Sequence, residues 1–186
     1  MTDYPRRVLI ISNPTSGRRR RADWCERVAL ALREAGVEVD LYETAQSGDA
    51  CRYAAEVLFG AEASTQARAV PGPGSHRLEA GDTPGLSGSG VRPPPFDCII
   101  ACGGDGTIQE VASALADHRA FCAGSVAAAA TPALGIIASG RCNDLAHALG
   151  VHGDVESTID ALLAGRRMAL DLGRVNGRCF CTVATM

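Results

Sequence analysis

Three apolar runs, at residues 7–12, 96–102 and 134–138, each pass without a spacer into a loop of small and polar residues. Those loops are Asn13-Pro14-Thr15-Ser16-Gly17, Gly103-Gly104-Asp105-Gly106-Thr107 and Ser139-Gly140-Arg141-Cys142-Asn143-Asp144. A short, continuous apolar run suits a strand covered on both faces. After the first loop, Trp24, Val28, Ala31, Leu32 and Ala35 recur at helical spacing until Gly36, and residues 37–42 then alternate as a second strand. Ser47-Gly48-Asp49 opens a further helix carrying Cys51, Ala54, Ala55 and Leu58 on one side. A helix is expected over 107–116, buried through Ile108, Val111, Ala112 and Leu115. Another follows the third loop and ends near Gly150, and one more runs over 155–164 to Gly165. Residues 168–172 and 178–184 read as strands joined in a hairpin through Asn176-Gly177. Strands alternating with helices give an α/β fold with a doubly wound, mostly parallel sheet, whose ligands sit at the carboxyl ends of the strands.

Composition narrows this further. The chain has 186 residues, 46% hydrophobic and 21% charged, the size and balance of one globular domain. About half of residues 61–95 are Gly, Pro, Ser or Thr, so this stretch is expected to be a disordered insertion within the domain. Residues 121–138 are apolar, but Thr131-Pro132 interrupts them, and they read as two buried elements rather than a membrane span. The net charge of −3 gives no reason to expect a nucleic-acid partner. Neither an apolar leader nor a Cys-x-x-Cys pair is present, which points to a cytoplasmic protein whose eight cysteines are reduced and mostly buried. All 18 basic residues are arginine. Phosphate chemistry here must therefore use backbone amides, arginine or metal, since no P-loop lysine exists.

The glycine-rich loop carries the sharpest chemical signal. Paired glycines let backbone amides approach phosphate oxygens, and the helix that follows adds its positive end. A carboxylate at Asp105 beside phosphates is unfavourable unless it orients Mg²⁺ or accepts a proton from an attacking hydroxyl. Asp105 also suits a plain helix cap, and Asn143 and Asp144 suit N-capping of the next helix. Arg18 to Arg21 read either as an attraction for phosphates or lipid headgroups, or as a solvated helix start. Trp24 reads as packing, and the four histidines show no metal or triad spacing.

The sequence resembles the diacylglycerol kinase catalytic family, which includes bacterial lipid kinases and sphingosine-kinase-like enzymes. The resemblance rests on NPTSG at 13–17, YETAQSGDA at 42–50, FDCIIACGGDGTIQEV at 96–111, LGIIASGRCNDLAHALG at 134–150 and ALDLGRVNGRCF at 169–180. It implies the N-terminal domain of the NAD kinase and diacylglycerol kinase type, with ATP and Mg²⁺ as cofactors. It also implies a lipid acceptor, diacylglycerol or sphingoid-like, met at a membrane surface. By resemblance, Ser12, Asn13, Pro14, Thr15, Ser16 and Thr44 hold the nucleotide, and Gly103, Gly104, Asp105, Gly106, Thr107, Ile108 and Gln109 cover its phosphates. Glu110 orients Mg²⁺, caps the loop or simply lies exposed on its helix, and Asn143 and Asp144 bind nucleotide or brace their loop. Arg141 stands where the family has Thr and can pair with a phosphate. Ala138, Cys142, Gln109 and Ala112-Ser113 also depart from the family pattern. Asp105 is the catalytic candidate, and no residue is assigned as a direct metal ligand.

Family members carry a second, mainly β domain that binds the lipid. Residues 1–186 are expected to supply the nucleotide-binding domain without it. Two other readings follow: a truncated, inactive nucleotide-binding module, and an NAD kinase-like enzyme using Asp105. Glu110-Val111 after GGDGT favours the lipid kinases over the NAD kinases. A Rossmann dehydrogenase is disfavoured because no GxGxxG follows the first strand.

Overall fold

In the run Arg7–Ser12 (β1), Val8 and Ile10 face one way and Leu9 and Ile11 the other, and all four are buried. Only a strand covered on both faces satisfies that pattern. The computed structural model describes residues 5–17, 23–60, 94–123, 131–151, 153–175 and 178–181. Around β1 it assembles Glu38–Glu43 (β2), Cys98–Gly103 (β3) and Ala133–Ala138 (β4) into a four-stranded parallel sheet of order β2-β1-β3-β4.

Helices cover both faces. Trp24–Glu34 (α1) and Val155–Leu163 (α5) pack Trp24, Val28, Leu32 and Val155 onto Val8, Ile10, Cys98, Ile100 and Cys102. An ion pair between Arg27 and Glu156 ties those two helices at their exposed rims. On the opposite face, Asp49–Phe59 (α2) and Asp105–Phe121 (α3) bury Ala54, Leu58, Ile108, Val111 and Leu115 against Leu9, Ile11, Ile99 and Ala101. The short helix Asp144–Ala148 (α4) joins this second core through Leu145 and Ala146. The doubly wound parallel α/β fold read from the alternation of strands and helices is the one observed.

The strand order has a direct consequence for function. From β1 the chain crosses to β2 on one side, and its return places β3 on the other. The carboxyl ends of β1 and β3 therefore flank a topological switch point, the place where an open α/β sheet leaves a crevice for ligand. The loops 13–17 and 103–107 leave the sheet there.

Three boundaries differ from expectation. Helix α3 begins at Asp105 rather than Thr107 and continues to Phe121. Gly104, in extended conformation, is its cap residue, so Gly106 and Thr107 already lie in the first turn. The acidic side chain of Asp105 suits that turn because it faces the positive helix end. The strand expected at 168–172 does not form; residues 168–171 are exposed, Leu172 is half-buried and none lies in a strand, although their alternation mimics one. Instead Gly173–Val175 (β5) pairs antiparallel with Arg178–Phe180 (β6), with Val175 opposite Arg178. All eight cysteines are free thiols, but only Cys98, Cys102 and Cys122 are buried, which corrects the expectation that most of them are. The expected insertion at 61–95 lies outside the described residues except for Pro94 and Pro95, and so does the arginine run 18–21.

Candidate functional site

The four parallel strands end side by side, and hydrogen bonds between their last residues lock the loops that follow. Asn13 N–H donates to the Cys102 carbonyl at 2.9 Å, and Thr44 N–H to the Ser12 carbonyl at 2.8 Å. Ser139 and Gly140 N–H both donate to the Gly103 carbonyl, at 3.0 and 3.1 Å. Ser12 and Thr44 are buried in this seam, while Pro14 and Thr15 stand exposed above it.

The first loop is held by its own asparagine. Asn13 Oδ1 accepts the Thr15 N–H at 3.0 Å and its hydroxyl at 2.8 Å, an Asx turn that shapes the backbone locally. Ser16 returns N–H and hydroxyl hydrogen bonds to the Asn13 carbonyl at 3.1 and 3.0 Å. Gly17, at φ +103°, lies so close to the Ser139 carbonyl that no side chain fits, and Ser16 Oγ meets Ser139 Oγ at 3.3 Å. The loops after β1 and β4 are thereby in contact.

The second contact joins the loops after β3 and β4. A methyl group on Gly140 would collide with Gly104 Cα and with Asn143 Oδ1, so glycine is required for the approach. Asp105 Oδ2 accepts the backbone N–H of Asn143 at 2.8 Å across the same gap. Asn143 adopts φ 57°, ψ 48°, and it is the one non-glycine residue with positive φ among those described. Asparagine tolerates that left-handed conformation better than most residues. Its Nδ2 donates to the carbonyls of Ala138 at 3.2 Å and Gly140 at 3.0 Å. The side chain thus braces the loop and makes no capping bond to α4.

Two oxygens in this cluster have no partner. Asp105 Oδ1 and Asn143 Oδ1 are buried, and neither accepts a hydrogen bond from any described residue. Buried polar atoms are almost always satisfied in folded proteins, and an orphaned carboxylate oxygen is costly. Beside them, the amides of Gly104, Asp105, Gly106 and Thr107 form the unsatisfied amino end of a 17-residue helix. Acceptors and donors therefore converge on one crevice, which suits a ligand carrying anionic oxygens together with hydroxyls or a cation.

Not every residue expected here faces that crevice. Ile108 is fully buried in the core, and its N–H is taken by the Gly104 carbonyl at 3.1 Å, so it has no group to offer a ligand. Gln109 points to the hairpin: Nε2 donates to the Cys179 carbonyl at 2.6 Å and Oε1 accepts from Cys181 N–H at 3.0 Å. Glu110 reaches α2, where its two oxygens accept N–H groups of Gly48 at 2.8 Å and Ala50 at 3.1 Å. It caps that helix's amino end, which favours negative charge. Asp49 secures the Thr44 loop from the other side. The Ala45 N–H, then Arg52, hold its carboxyl below the usual carboxylate range. Arg141 and Asp144 are exposed at the rim.

Ser139, Gly140 and Gly17 were not anticipated as site residues. The signal was present in the SGRCND motif, where Gly140 comes second after the strand end at Ala138. That position becomes informative only once the facing Gly104 is known.

Fold and loop cluster together define a doubly wound α/β unit that gathers three strand-end loops beside its switch point. The diacylglycerol kinase catalytic domain family matches the chain over residues 7–64 and 89–175, and the chain belongs to that family. It is 31% identical to a diacylglycerol kinase of Bacillus subtilis over 182 residues, covering 96% of this chain and 45% of that protein. A protein of Enterobacter named "Probable lipid kinase YegS-like" is 28% identical over 187 residues, covering 100% of this chain and 47% of the relative. The chain thus spans a little under half the length of these curated relatives. A crystal structure of a diacylglycerol kinase from Bacillus anthracis superposes with a TM-score of 0.64 at 23% identity, over 95% of this chain and 48% of that one, and shares the fold.

Proposed function

We propose that residues 1–186 form the nucleotide-binding domain of an ATP-dependent lipid kinase that transfers the γ-phosphoryl group to a lipid hydroxyl. The observation that carries this reading is the pair of orphaned buried oxygens, Asp105 Oδ1 and Asn143 Oδ1, beside the free amino end of α3. The α3 amides fit phosphate oxygens, and glycines at 104 and 106 leave the approach free of side chains. The two orphaned oxygens fit the hydrated cation or the hydroxyls that accompany a magnesium-bound nucleotide. When bound, Mg²⁺ supplies charge neutralisation on the phosphates, and the reaction then depends mainly on positioning.

Among this chain's own residues, Asp105 is the group placed to hold a proton or orient the metal. Its Oδ2 is fixed by Asn143, which leaves Oδ1 as the working atom. Asn13, Ser16 and Ser139 shape the wall opposite, and Thr44 lies under the seam between β1 and β2. The acceptor is proposed to be diacylglycerol or a sphingoid-like base, met at a membrane surface by a peripheral protein. Among the described residues no helix is long and apolar enough to cross a membrane.

The test is transfer of labelled phosphate from ATP to diacylglycerol in mixed micelles, with a sphingoid base as the second acceptor. Labelled lipid product that disappears in Asp105→Asn supports the reading. A folded protein that binds Mg-ATP and transfers nothing reduces it to nucleotide binding alone.

A further inference from the structure

Among the described residues β4 is an edge strand, hydrogen-bonded to β3 alone, and a cavity of about 550 Å³ is built around it. Residues 131–136 line its length. Leu115 and Ala116 of α3 line it from one face of the sheet, and Ala161 and Leu162 of α5 from the other. Of the six large apolar side chains that stand exposed among the described residues, three, Val151, Met168 and Leu170, gather at this cavity. Exposed apolar side chains collected in one place mark a binding surface.

The charges on its wall have one sign. Arg119, Arg166 and Arg167 line the cavity, and no acidic residue does. The Arg27–Glu156 pair sets the first turns of α1 and α5 side by side, so α5, like α1 and α3, runs back toward the amino ends of the strands. Arg119, in the last turn of α3, and Arg166 and Arg167, just beyond α5, therefore arrive at the same end of the sheet. None of the three joins an ion pair among the described residues. Asp97, at that end of the sheet, is spent on the N–H groups of Arg6 and Arg7 at 2.8 and 3.0 Å.

We infer that this cavity binds a single-chain anionic amphiphile, with its alkyl chain along β4 and a carboxylate or phosphate head against the arginines. Guanidinium groups suit both heads, which they can grip through paired N–H donors. Size selects one chain: a cavity of about 150 Å³ takes a benzene, so 550 Å³ holds on the order of 20 heavy atoms. A two-chain lipid such as diacylglycerol does not fit. None of the residues in the loops 13–17, 103–107 and 139–144 lines the cavity, so it is separate from the nucleotide crevice. A second copy of the chain is the competing occupant, because an open sheet edge invites strand pairing. A two-fold contact sets one patch against itself, however, and would bring three more arginines and no acid. Charge decides for the amphiphile.

The experiment is calorimetric titration of the full chain with dodecanoate, dodecyl phosphate and dodecanol, three probes of equal chain length, each below its micelle concentration. At least one of the two acids should bind at one molecule per chain and several-fold more tightly than the alcohol, and the tighter acid identifies the preferred head. The double variant Arg166→Gln, Arg167→Gln should weaken the acid about fivefold, as the loss of two solvent-exposed ion pairs implies, and leave the alcohol unchanged. Ala116→Leu fills the cavity and should remove binding of all three probes. If that variant fails to fold, the arginine variant, altered only at exposed residues, carries the test. A folded chain that binds neither acid, an alcohol that binds as tightly as the acids, or an acid affinity untouched by the arginine variant would overturn the proposal. So would sedimentation showing a dimer that Ala116→Leu disrupts, which would put a second copy on this edge. None of these outcomes depends on nucleotide binding.

Discussion

Asp105 and Asn143, 38 positions apart, meet across the gap between two strand-end loops, where Oδ2 of Asp105 accepts the Asn143 N–H at 2.8 Å. Each side chain leaves its other oxygen buried and without a hydrogen bond from any described residue. A bond that holds the loops together and two acceptors that gain nothing from the fold are what a ligand cradle requires.

Replacing Asp105 separates those two roles. Asp105→Asn keeps an acceptor for the Asn143 N–H and removes an uncompensated charge, so the melting temperature should hold or rise. Asp105→Ala leaves the Asn143 N–H without its partner and should destabilise by about 1–3 kcal/mol. Urea denaturation of the two variants beside wild type checks the contrast.

The glycines make a second pair of opposite predictions. Gly140→Ala places a methyl against Gly104 Cα and should cost about 1–3 kcal/mol by overpacking, as well as spreading the loops. Gly106→Ala meets no atom within contact distance and sits in a helical turn, so it should add roughly 0.5 kcal/mol of stability. Its methyl nevertheless lies where phosphate is expected to approach. Stability should rise while Mg-ATP affinity falls, as read by denaturation and by nucleotide titration.

Glu110 tests whether an acidic residue in the motif holds metal or structure. Glu110→Ala should cost about 1–2 kcal/mol, because the amides of Gly48 and Ala50 lose a charged acceptor at the amino end of α2. Glu110→Gln should recover part of that loss. Magnesium dependence of nucleotide binding should be the same in Glu110→Gln as in wild type.

His118 sets a pH dependence. It is fully buried between Thr131 and Cys122, and burial lowers its pKa below the model-peptide value. The unfolded chain therefore takes up the proton first as pH falls through about 6.5, and stability declines below that point. Above it, both states are neutral and this contribution is flat. His118→Gln should remove that part of the slope between pH 7 and 5 in a series of thermal melts.

Much of the scaffold was readable from local pattern. The buried strand at 7–12 and the stripe Trp24, Val28, Leu32 declare their elements, because each periodicity fits one secondary structure. Convergence of the three loops followed from parallel topology alone. The start of α3 at Asp105 was not legible, since glycines on both sides of that aspartate mimic an irregular loop. The partners of Gln109 and Glu110 were not legible for a different reason. Those partners, at Cys179 and Gly48, lie far along the chain, and no local signal records a long-range hydrogen bond. The Gly140 contact is hidden in the same way, being a property of two loops rather than of one motif.

The central claim is that the loops after β1, β3 and β4 form a single cradle for the phosphates of Mg-ATP. A thermal melt of the full chain with and without millimolar Mg-ATP tests it most directly. At 100-fold excess over the dissociation constant, binding adds about 2.7 kcal/mol to stability, so the midpoint should rise by several degrees. Gly140→Ala should abolish most of that rise. A cooperative melt whose midpoint ignores Mg-ATP, or a shift that Gly140→Ala leaves intact, would contradict the account.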